Sequence, residues 1–476
     1  MTTIRKIKKY TVLCLLVLQL SRLVNYVSDF LVALNPNLNR YSSYMYLDKP
    51  PCPEDPKLTL LRQATNRSDR FPSIEERVRV YMADWYYCPN DLDHIHYEYQ
   101  YTAKDNRRHL HLFSESQGRN YSIPTLEIRH DALSVVDAEF LQSKKCTTAV
   151  QGDYCRDFFK VLQTSQSLIK VNNASAPLLV SFGDVANAFF VPHFTKVRAV
   201  GMQTQLQTHN RTSTEPCVRL PMPLSNVKET TTASTQEPLM PTNVHGIVSR
   251  IRVGRHFGPV RKTPNFDIPW NEKKNQAVFR GKLTGNNSPH ERQAQQTTLH
   301  DAQKYLIIRR CAIILHNLHS DLVDAKSTGQ LGRVPSRIPY NGTSIRLLGR
   351  PLGLASQLQF KALIMPEGND VASGLKWALY SNSVVIMPEP TRTTWGMEEL
   401  LVPWKHYIPM EPYGKDAHQK MQWVLDHEDE AQMIARRATL WMEDLLFHPD
   451  AQKDDQVISR ELIRRYFNHF PDQPGR

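Results

Sequence analysis

The sequence predicts an α/β fold built on parallel strands, and three stretches carry that prediction. They are residues 360–387, Gln276–Phe279 and Pro177–Phe182. The first has the pattern of a complete β-loop-α-β unit, and the other two are apolar runs of strand length that end in glycine and charged residues. Strands of this kind alternating with helical patterns are typical of a parallel sheet covered by helices.

The unit at residues 360–387 contains a predicted binding loop. An apolar strand at Ala362–Met365 is followed by the turn formers Pro366–Asp370, a helical pattern from Val371 and a second buried strand, Ser383–Met387. Open α/β sheets bind ligands where such a loop leaves the carboxyl end of a strand, and backbone N–H groups there favour phosphate. The alternative is an ordinary structural turn, with the carboxylate of its last residue capping the helix.

The strand Gln276–Phe279 ends in Arg280-Gly281-Lys282-Leu-Thr284. Two cations, a glycine and a hydroxyl at the end of a strand suit a diphosphate. The spacing is not that of a P-loop, and no G-x-G-x-x-G occurs in the chain. The sequence therefore supports neither an NTPase nor a dinucleotide-dependent oxidoreductase.

The strand Pro177–Phe182 ends in Gly183-Asp184. A carboxylate just past a buried strand faces the crevice where open sheets perform chemistry, so Asp184 is a candidate general base. A turn or N-cap aspartate is the alternative. Lys196 and Arg198 follow and bring positive charge to the same edge.

The remaining elements are predicted from local patterns. Residues 35–72 are rich in proline and are expected to form an extended stem. Later predictions are a capping-box helix from Ser73-x-x-Glu76 towards Tyr87, a hairpin at His94–Leu112, a helix at His290–Arg309, a strand at Ala312–His316 and amphipathic helices at 416–447 and 454–469.

Composition limits the functional classes. The 476 residues include 59 Lys+Arg and 47 Asp+Glu, for a net charge of +12, and 41% are hydrophobic. This length suits two or three domains, and the charge suits anionic ligands or a membrane surface. No basic run is interleaved with aromatic residues, so nucleic acid is not an expected partner.

The N-terminus predicts a secretory compartment. Basic residues precede the apolar segments Tyr10–Leu20 and Leu23–Leu34, and no small-x-small cleavage site is evident. An uncleaved signal-anchor is favoured over a cleaved signal peptide or an amphipathic surface helix, with the rest of the chain lumenal. N-glycosylation sequons at Asn66, Asn120, Asn173, Asn210 and Asn341 agree with this compartment. Cysteine pairing stays open, and Cys311 has the pattern of a buried thiol.

No metal site is expected. Asp91-x-Asp93 resembles a metal-binding D-x-D, but it follows no predicted strand and a solvated turn is the better interpretation. His109-x-His111 lacks a third ligand at suitable spacing, which favours exposed strand histidines.

Several motifs occurring in order resemble glycosyltransferase family 90. They are Ala277-Val-Phe-Arg-Gly281, Lys361 with Glu367-Gly-Asn-Asp-Val-Ala372, Leu375-Lys-Trp377, Ser381-Asn-Ser383, Trp395-x-Met397-Glu398, His406-Tyr407 and, earlier, Val180-Ser-Phe-Gly-Asp184 and Pro192-His-Phe-Thr-Lys196-Val-Arg198. The family includes protein O-glucosyltransferases, O-xylosyltransferases and lipopolysaccharide glycosyltransferases. Animal O-glucosyltransferases of the family carry an arginine where this chain has Gly374, which leaves more of the diphosphate charge to other cations.

The resemblance implies a GT-B architecture, in which two Rossmann-like domains face each other across a cleft. It further implies an inverting, metal-independent enzyme that uses a UDP-sugar as co-substrate and a protein or glycan hydroxyl as acceptor. Asp184 is then the catalytic base. The donor-binding residues are predicted to be Arg280, Gly281, Lys282, Thr284, Glu367, Gly368, Asn369, Asp370, Ser373, Lys376, Trp395 and Glu398. The alternative is an inactive family member that acts as a lumenal carbohydrate-binding or scaffold protein.

The predicted organisation places the enzyme as a single-pass type II protein of the Golgi or endoplasmic reticulum membrane. Its parts are a signal-anchor or signal peptide (1–34), a stem and small N-terminal subdomain (35–120), a first Rossmann-like acceptor domain (121–209), a flexible Ser/Thr/Pro-rich insertion (210–246), a second Rossmann-like UDP-sugar domain (247–440) and C-terminal helices (441–476).

Overall fold

The computed structural model describes parts of one structural unit, residues 49–476. The described residues are 55–82, 95–102, 107–114, 119–124, 158, 180–181, 188–189, 193–200, 244–249, 254–284, 303–306, 308–329, 337–340 and 343–467. Asp184, the N-terminal apolar segments, Asp91, Asp93 and residues 201–243 lie outside them.

Three helices begin the described part of the chain: α1 (Pro56–Ala64), α2 (Arg67–Arg70) and α3 (Ile74–Met82). The predicted capping box at the start of α3 is confirmed, because Ser73 N donates to Glu76 at 2.7 Å and Glu76 N donates to Ser73 Oγ at 3.2 Å. The extended stem predicted over residues 35–72 is wrong for its described part. Pro56 occupies the first turn of α1, where a missing N–H costs nothing, and Leu58 and Phe71 are buried.

The next strands form small sheets. An antiparallel meander contains β1 (Ile95–Thr102), β2 (Arg107–Ser114) and β3 (Arg119–Pro124), which confirms the predicted hairpin and adds a third strand. Six short strands follow: β4 (Val180–Ser181), β5 (Ala188–Phe189), β6 (Phe194–Thr195), β7 (Arg198–Ala199), β8 (Val244–His245) and β9 (Ile247–Val248). Strands β4, β6 and β9 pair in parallel, so β4 and β6 end at the same edge.

The second half of the chain alternates helices and strands. In order these are α4 (Gly254–Phe266), β10 (Lys274–Gly281), α5 (Gln303–Leu306), α6 (Arg309–His316), β11 (Val323–Ser327), β12 (Arg337–Tyr340), β13 (Thr343–Arg346), α7 (Leu354–Gln357), β14 (Phe360–Ile364), α8 (Leu375–Leu379), β15 (Val384–Met387), β16 (Arg392–Thr393), β17 (Ile408–Pro409), α9 (Ala417–Asp426), α10 (Glu428–Leu446) and α11 (Ala451–Phe467).

Five of these strands form one parallel sheet in the order β11-β10-β14-β15-β17. Every residue of β14 and β15 is buried, as expected for parallel strands covered on both faces. One face, with Val278 and Leu363, packs with α4, α8 and α11; the opposite face, with Ala277 and Ala362, packs with α6 and α9. The predicted α/β class and both strands of the β-loop-α-β unit are confirmed. The two-domain GT-B layout stays an expectation.

Two local predictions are wrong in this half. Residues 312–316, predicted as a strand, belong to α6. Cys311 to Leu315 are all buried, and an apolar run without alternation does not distinguish a buried helix from a buried strand. The helix predicted from Val371 begins only at Leu375, with Gly374 at its N-cap, while the Asp370 carboxylate accepts from Val371 N and pairs with Lys196.

Two other findings concern the compartment and the cysteines. Among the residues that the structure describes, no helix is both long and apolar enough to cross a membrane. Cys311 is a buried free thiol, as its apolar surroundings predicted, and burial raises its pKa to about 12.

Candidate functional site

A cavity of about 630 Å³ opens where β10 and β14 end. This is the edge at which open α/β sheets bind ligands, and the volume is within the range of small-molecule sites. The structure brings eight of the predicted donor-binding residues to its wall: Arg280, Gly281, Lys282, Thr284, Gly368, Asn369, Asp370 and Ser373.

The turn after β10 presents a cation to the cavity. Thr284 N donates to Lys282 O at 2.8 Å, which closes the turn. The Lys282 side chain is exposed, and its ammonium group is within ion-pair distance of no acid among the described residues. Arg280 is placed differently: its guanidinium group bonds the Asp324 carboxylate at 2.6 Å and the Asp324 carbonyl at 2.7 Å. Arg280 therefore fastens β10 to β11, although part of it lines the cavity.

Arg310, in the first turn of α6, joins the two loops that form the cavity wall. Its guanidinium group donates to the carbonyls of Lys282 at 3.0 Å, Pro366 at 2.9 Å and Glu367 at 3.2 Å, and to Thr284 Oγ1 at 2.9 Å. Burial and the charge of Arg309 lower the Arg310 pKa to about 10, against the opposing effect of Glu367, so the group stays cationic at neutral pH.

Sequence reasoning missed Arg310. A signal was present, because two arginines open an otherwise apolar helix, and cations are unfavourable at a helix N-terminus. Such residues indicate a partner elsewhere in the fold.

Gly368 is required by this junction. A Cβ atom on it would lie 2.7 Å from Thr284 Oγ1 and 2.9 Å from Arg310 Nη2, closer than real Cβ contacts. Any side chain at this position would therefore displace the Arg310 guanidinium group or the Thr284 hydroxyl from the hydrogen bonds that join the loops.

Glu367 faces away from the cavity. Its carboxylate accepts hydrogen bonds from Thr391 N at 2.8 Å, Arg392 N at 3.0 Å and the Thr391 hydroxyl. These contacts fasten the loop after β14 to β16, which in turn pairs with β7.

Lys196 reaches the cavity wall from the first half of the chain. Its Nζ lies 2.5 Å from Asp370 Oδ2, and both residues are less than 10% exposed. Burial raises the Asp370 pKa, against the charges of Lys196 and Lys376. The segment that carries Lys196 is held by β6 and β7, and by a hydrogen bond from Val200 N to Thr391 O at 2.8 Å.

Lys376, Trp395 and Glu398 form a buried group that is not part of the cavity wall. Lys376 Nζ pairs with the Glu398 carboxylate, bonds Thr394 Oγ1 at 2.9 Å and lies 5.3 Å from the centre of the Trp395 ring. These three were predicted to touch the donor; the structure instead places Lys376 in contact with each of the other two.

Gly374 lines the cavity without supplying a cation. A Cβ atom there would lie 3.1 Å from Trp377 Nε1, so the indole occupies the space beside it. Asp184, the predicted base, lies outside the described residues, three positions after β4 ends. β4 runs parallel to β6, which ends one residue before Lys196.

No group of three or more His, Cys, Asp or Glu side chains close enough to hold a metal occurs within the described ranges. The histidines of His109-x-His111 lie on β2, and their neighbours along the strand are arginine and leucine residues.

A comparison with protein families finds a match that covers this part of the chain. The model of Glycosyl transferase family 90 matches residues 257–451, which include Arg310 and all the predicted donor-binding residues. This part of the chain is thus similar to the glycosyltransferases of family 90.

Two of the proteins that this chain resembles carry O-glucosyltransferase names. O-glucosyltransferase LpsA of Dichelobacter nodosus is 29% identical over 123 residues, 26% of this chain and 37% of that protein. Protein O-glucosyltransferase 3 of Rattus norvegicus is 28% identical over 98 residues, 21% of this chain and 19% of that protein. An uncharacterized protein of invertebrate iridescent virus 3 is 28% identical over 199 residues, 39% of this chain and 16% of that protein. The chain thus spans less than two fifths of the length of each.

Proposed function

We propose that the chain is an inverting glycosyltransferase that moves glucose, xylose or a similar sugar from a UDP-sugar to a hydroxyl group of a protein or glycan. The observation that carries this proposal is the cavity in the part of the chain similar to family 90, where Arg310 joins two glycine-containing loops beside Lys282 and Lys196. The O-glucosyltransferase names of two relatives support glucose as the first donor to test.

The proposed reaction is a direct displacement at the anomeric carbon. The acceptor oxygen bonds to that carbon, the bond between the carbon and the phosphate oxygen breaks, and UDP leaves with the electron pair. The acceptor proton passes to the Asp184 carboxylate, acting as general base. Negative charge develops on the departing diphosphate, and fixed cations around it lower the barrier.

In this proposal three cations neutralise the diphosphate. Lys282 is exposed in the cavity, Lys196 enters from the other half of the chain, and Arg310 holds its charge rigidly in the wall. Charge neutralisation is thereby assigned to protein side chains, so we expect no requirement for a metal ion.

The other predicted residues divide into two groups. Thr284, Asn369 and Ser373 line the cavity, and we assign their polar groups to contacts with the nucleotide or sugar. Four residues form hydrogen bonds or ion pairs within the protein: Arg280, Glu367, Lys376 and Glu398. We assign them to holding the loops in place, and their direct contact with the donor stays a prediction. The Trp395 ring packs against Lys376.

The test is a UDP-release assay on the purified full-length chain with UDP-glucose, UDP-xylose and UDP-galactose, with and without EDTA. We expect one donor to turn over with a glycan or peptide acceptor and EDTA to leave the rate unchanged. Binding of UDP without turnover of any donor would favour the carbohydrate-binding scaffold. Absence of UDP binding contradicts both functions.

Two variants test the assigned roles. Asp184→Asn is expected to lower the transfer rate by at least ~100-fold while UDP affinity stays near the wild-type value, because a general base acts on the acceptor. Lys282→Met is expected to weaken UDP binding by about tenfold, the effect of losing ~1.4 kcal/mol. Lys274→Met is the matched control, an exposed lysine at the opposite end of β10. Equal UDP affinity for the two lysine variants would place the diphosphate elsewhere.

We further propose that the chain works in the Golgi or endoplasmic reticulum, held in the membrane by residues 1–34 with the catalytic part lumenal. The basic residues before the apolar N-terminal segments and the five sequons support this location. Treating the chain from secretory cells with an N-glycosidase tests it: a shift in apparent mass is expected, and an unmodified chain contradicts a lumenal location.

A further inference from the structure

The cavity contains an acid at the place where an anionic ligand is proposed to bind. Asp370 and Lys196 both line the wall, and their charged groups are 2.5 Å apart. Lys196, one of the cations assigned to the diphosphate, is thus already paired with a carboxylate of the protein. A buried carboxylate near a phosphate site opposes binding unless it has a defined task.

Asp370 is held rigidly, whereas Lys196 carries its charge on a flexible stem. Gly368 N donates to Asp370 O at 2.8 Å, and Val371 N donates to Asp370 Oδ1 at 2.5 Å, so one carboxylate oxygen is fixed by the backbone. The other oxygen faces the ammonium group. Because Lys196 lines the cavity and its stem has several rotatable bonds, a change of rotamer would turn the ammonium group from this oxygen towards the cavity.

We propose that Asp370 competes with the donor's diphosphate for Lys196, and that the donor exchanges this ion pair on entry. The ammonium group turns to the phosphate oxygens, and a hydroxyl of the donor sugar donates to the Asp370 oxygen that the ammonium group leaves. This inference rests on the proposed nucleotide-sugar function and assigns a specificity role within it.

The exchange favours the intact donor over the product. A buried carboxylate left without a partner costs several kcal/mol. A UDP-sugar supplies both the anion and the hydroxyl of its sugar, whereas UDP has lost that sugar. After transfer, Asp370 therefore recaptures Lys196 and promotes the release of UDP.

The experiment measures UDP and inorganic pyrophosphate affinity by calorimetry on the full-length chain. Asp370→Asn removes the competitor, and we expect it to bind UDP about tenfold more tightly, a gain of ~1.4 kcal/mol. Lys196→Met is expected to bind UDP about tenfold more weakly. The double variant Lys196→Met/Asp370→Asn should lose the gain of the single asparagine variant.

Asp267→Asn is the matched control. Asp267 pairs with Lys273 at the same 2.5 Å and is similarly buried, but it precedes β10, at the end of the strand away from the cavity. Its loss should lower the unfolding temperature comparably and leave UDP affinity unchanged.

The proposal is overturned if folded Asp370→Asn binds UDP with wild-type or weaker affinity while the wild-type chain binds UDP. Should that variant fail to fold, Lys196→Met decides, since unchanged UDP affinity there also overturns it. If the wild-type chain binds neither UDP nor pyrophosphate, the proposed function itself is contradicted, and this inference with it.

Discussion

At the scale of single residues, Arg310 makes the largest set of contacts across the cavity wall. Its four hydrogen bonds connect the loop after β10 to the loop after β14. A guanidinium group presents five donors in a planar fork, whereas a lysine ammonium group presents three donors on one compact centre and could not reach all four of these acceptors.

Arg310→Lys is accordingly expected to keep the positive charge and to lose most of the hydrogen bonds that join the two loops. We expect about tenfold weaker UDP binding, corresponding to ~1.4 kcal/mol, together with a lower unfolding temperature. Calorimetry and thermal unfolding measure these effects. Arg309→Lys is the control, because its ion pair with Glu367 is longer, at 3.5 Å, and should tolerate the exchange. Wild-type UDP affinity in Arg310→Lys would contradict the assigned role.

A second residue-scale prediction concerns His406, which is buried. Val402 N donates to His406 Nδ1 at 2.9 Å, and burial, followed by the charges of Lys405 and Arg437, lowers the His406 pKa to about 3. In the unfolded chain the imidazole of His406 is therefore protonated below pH ~6.5, whereas in the folded chain it is protonated only near pH 3. The contribution of His406 to the free energy of unfolding is therefore complete above pH ~6.5 and is lost as the pH falls towards 3.

Urea denaturation at pH 7 and pH 5 tests this sign. We expect the wild-type free energy of unfolding to fall by about 2 kcal/mol more than that of His406→Gln over this interval. Glutamine retains an acceptor for Val402 N but does not titrate. Equal losses in the two proteins would show that the ring is accessible to protons in the fold.

At the scale of elements, the loops after β10 and β14 fit together because one position carries no side chain. Gly368→Ala places a Cβ atom 2.7 Å from Thr284 Oγ1 and 2.9 Å from Arg310 Nη2. The Arg310 guanidinium group or the Thr284 hydroxyl must shift from its hydrogen bonds, and we expect UDP affinity to fall by roughly tenfold or more. Gly353→Ala is the control, because nothing lies within 4 Å of its added Cβ atom. Calorimetry measures the UDP affinity of both variants, and equal affinities would contradict the role of Gly368 in fitting the two loops together.

At the scale of elements, the sequence predicts the strands and the cavity wall well but does not predict the long-range contacts between loops. The strands and the eight wall residues were predictable because polar groups after buried strands gather at one sheet edge. Arg310 was not, since its partners lie 26 to 57 residues away in the chain. The Lys196–Asp370 pair depends on β7 docking against β16, which no local pattern encodes.

At the scale of the whole molecule, residues 55–82 belong to the folded unit with the C-terminal helices. Arg70 bonds Asp444 through two nitrogens, at 2.7 and 2.9 Å, and Arg77 bonds Asp454 at 2.7 Å. Phe71 packs edge-on against Trp441 with ring centres 5.1 Å apart. Tyr81 donates to the Trp395 carbonyl at 2.9 Å, so these helices also support the buried group behind the cavity.

This packing predicts that Arg70→Met destabilises the whole unit. Asp444 is 2% exposed, and loss of the guanidinium fork leaves its carboxylate buried with weaker compensation. We expect the free energy of unfolding to fall by about 3 kcal/mol. Lys57→Met is the matched control: its partner is Asp429, and the two side chains are 59% and 85% exposed, so a change within about 0.5 kcal/mol is expected. Urea denaturation compares them, and similar small losses for both variants would restore residues 55–72 to the role of a stem outside the core.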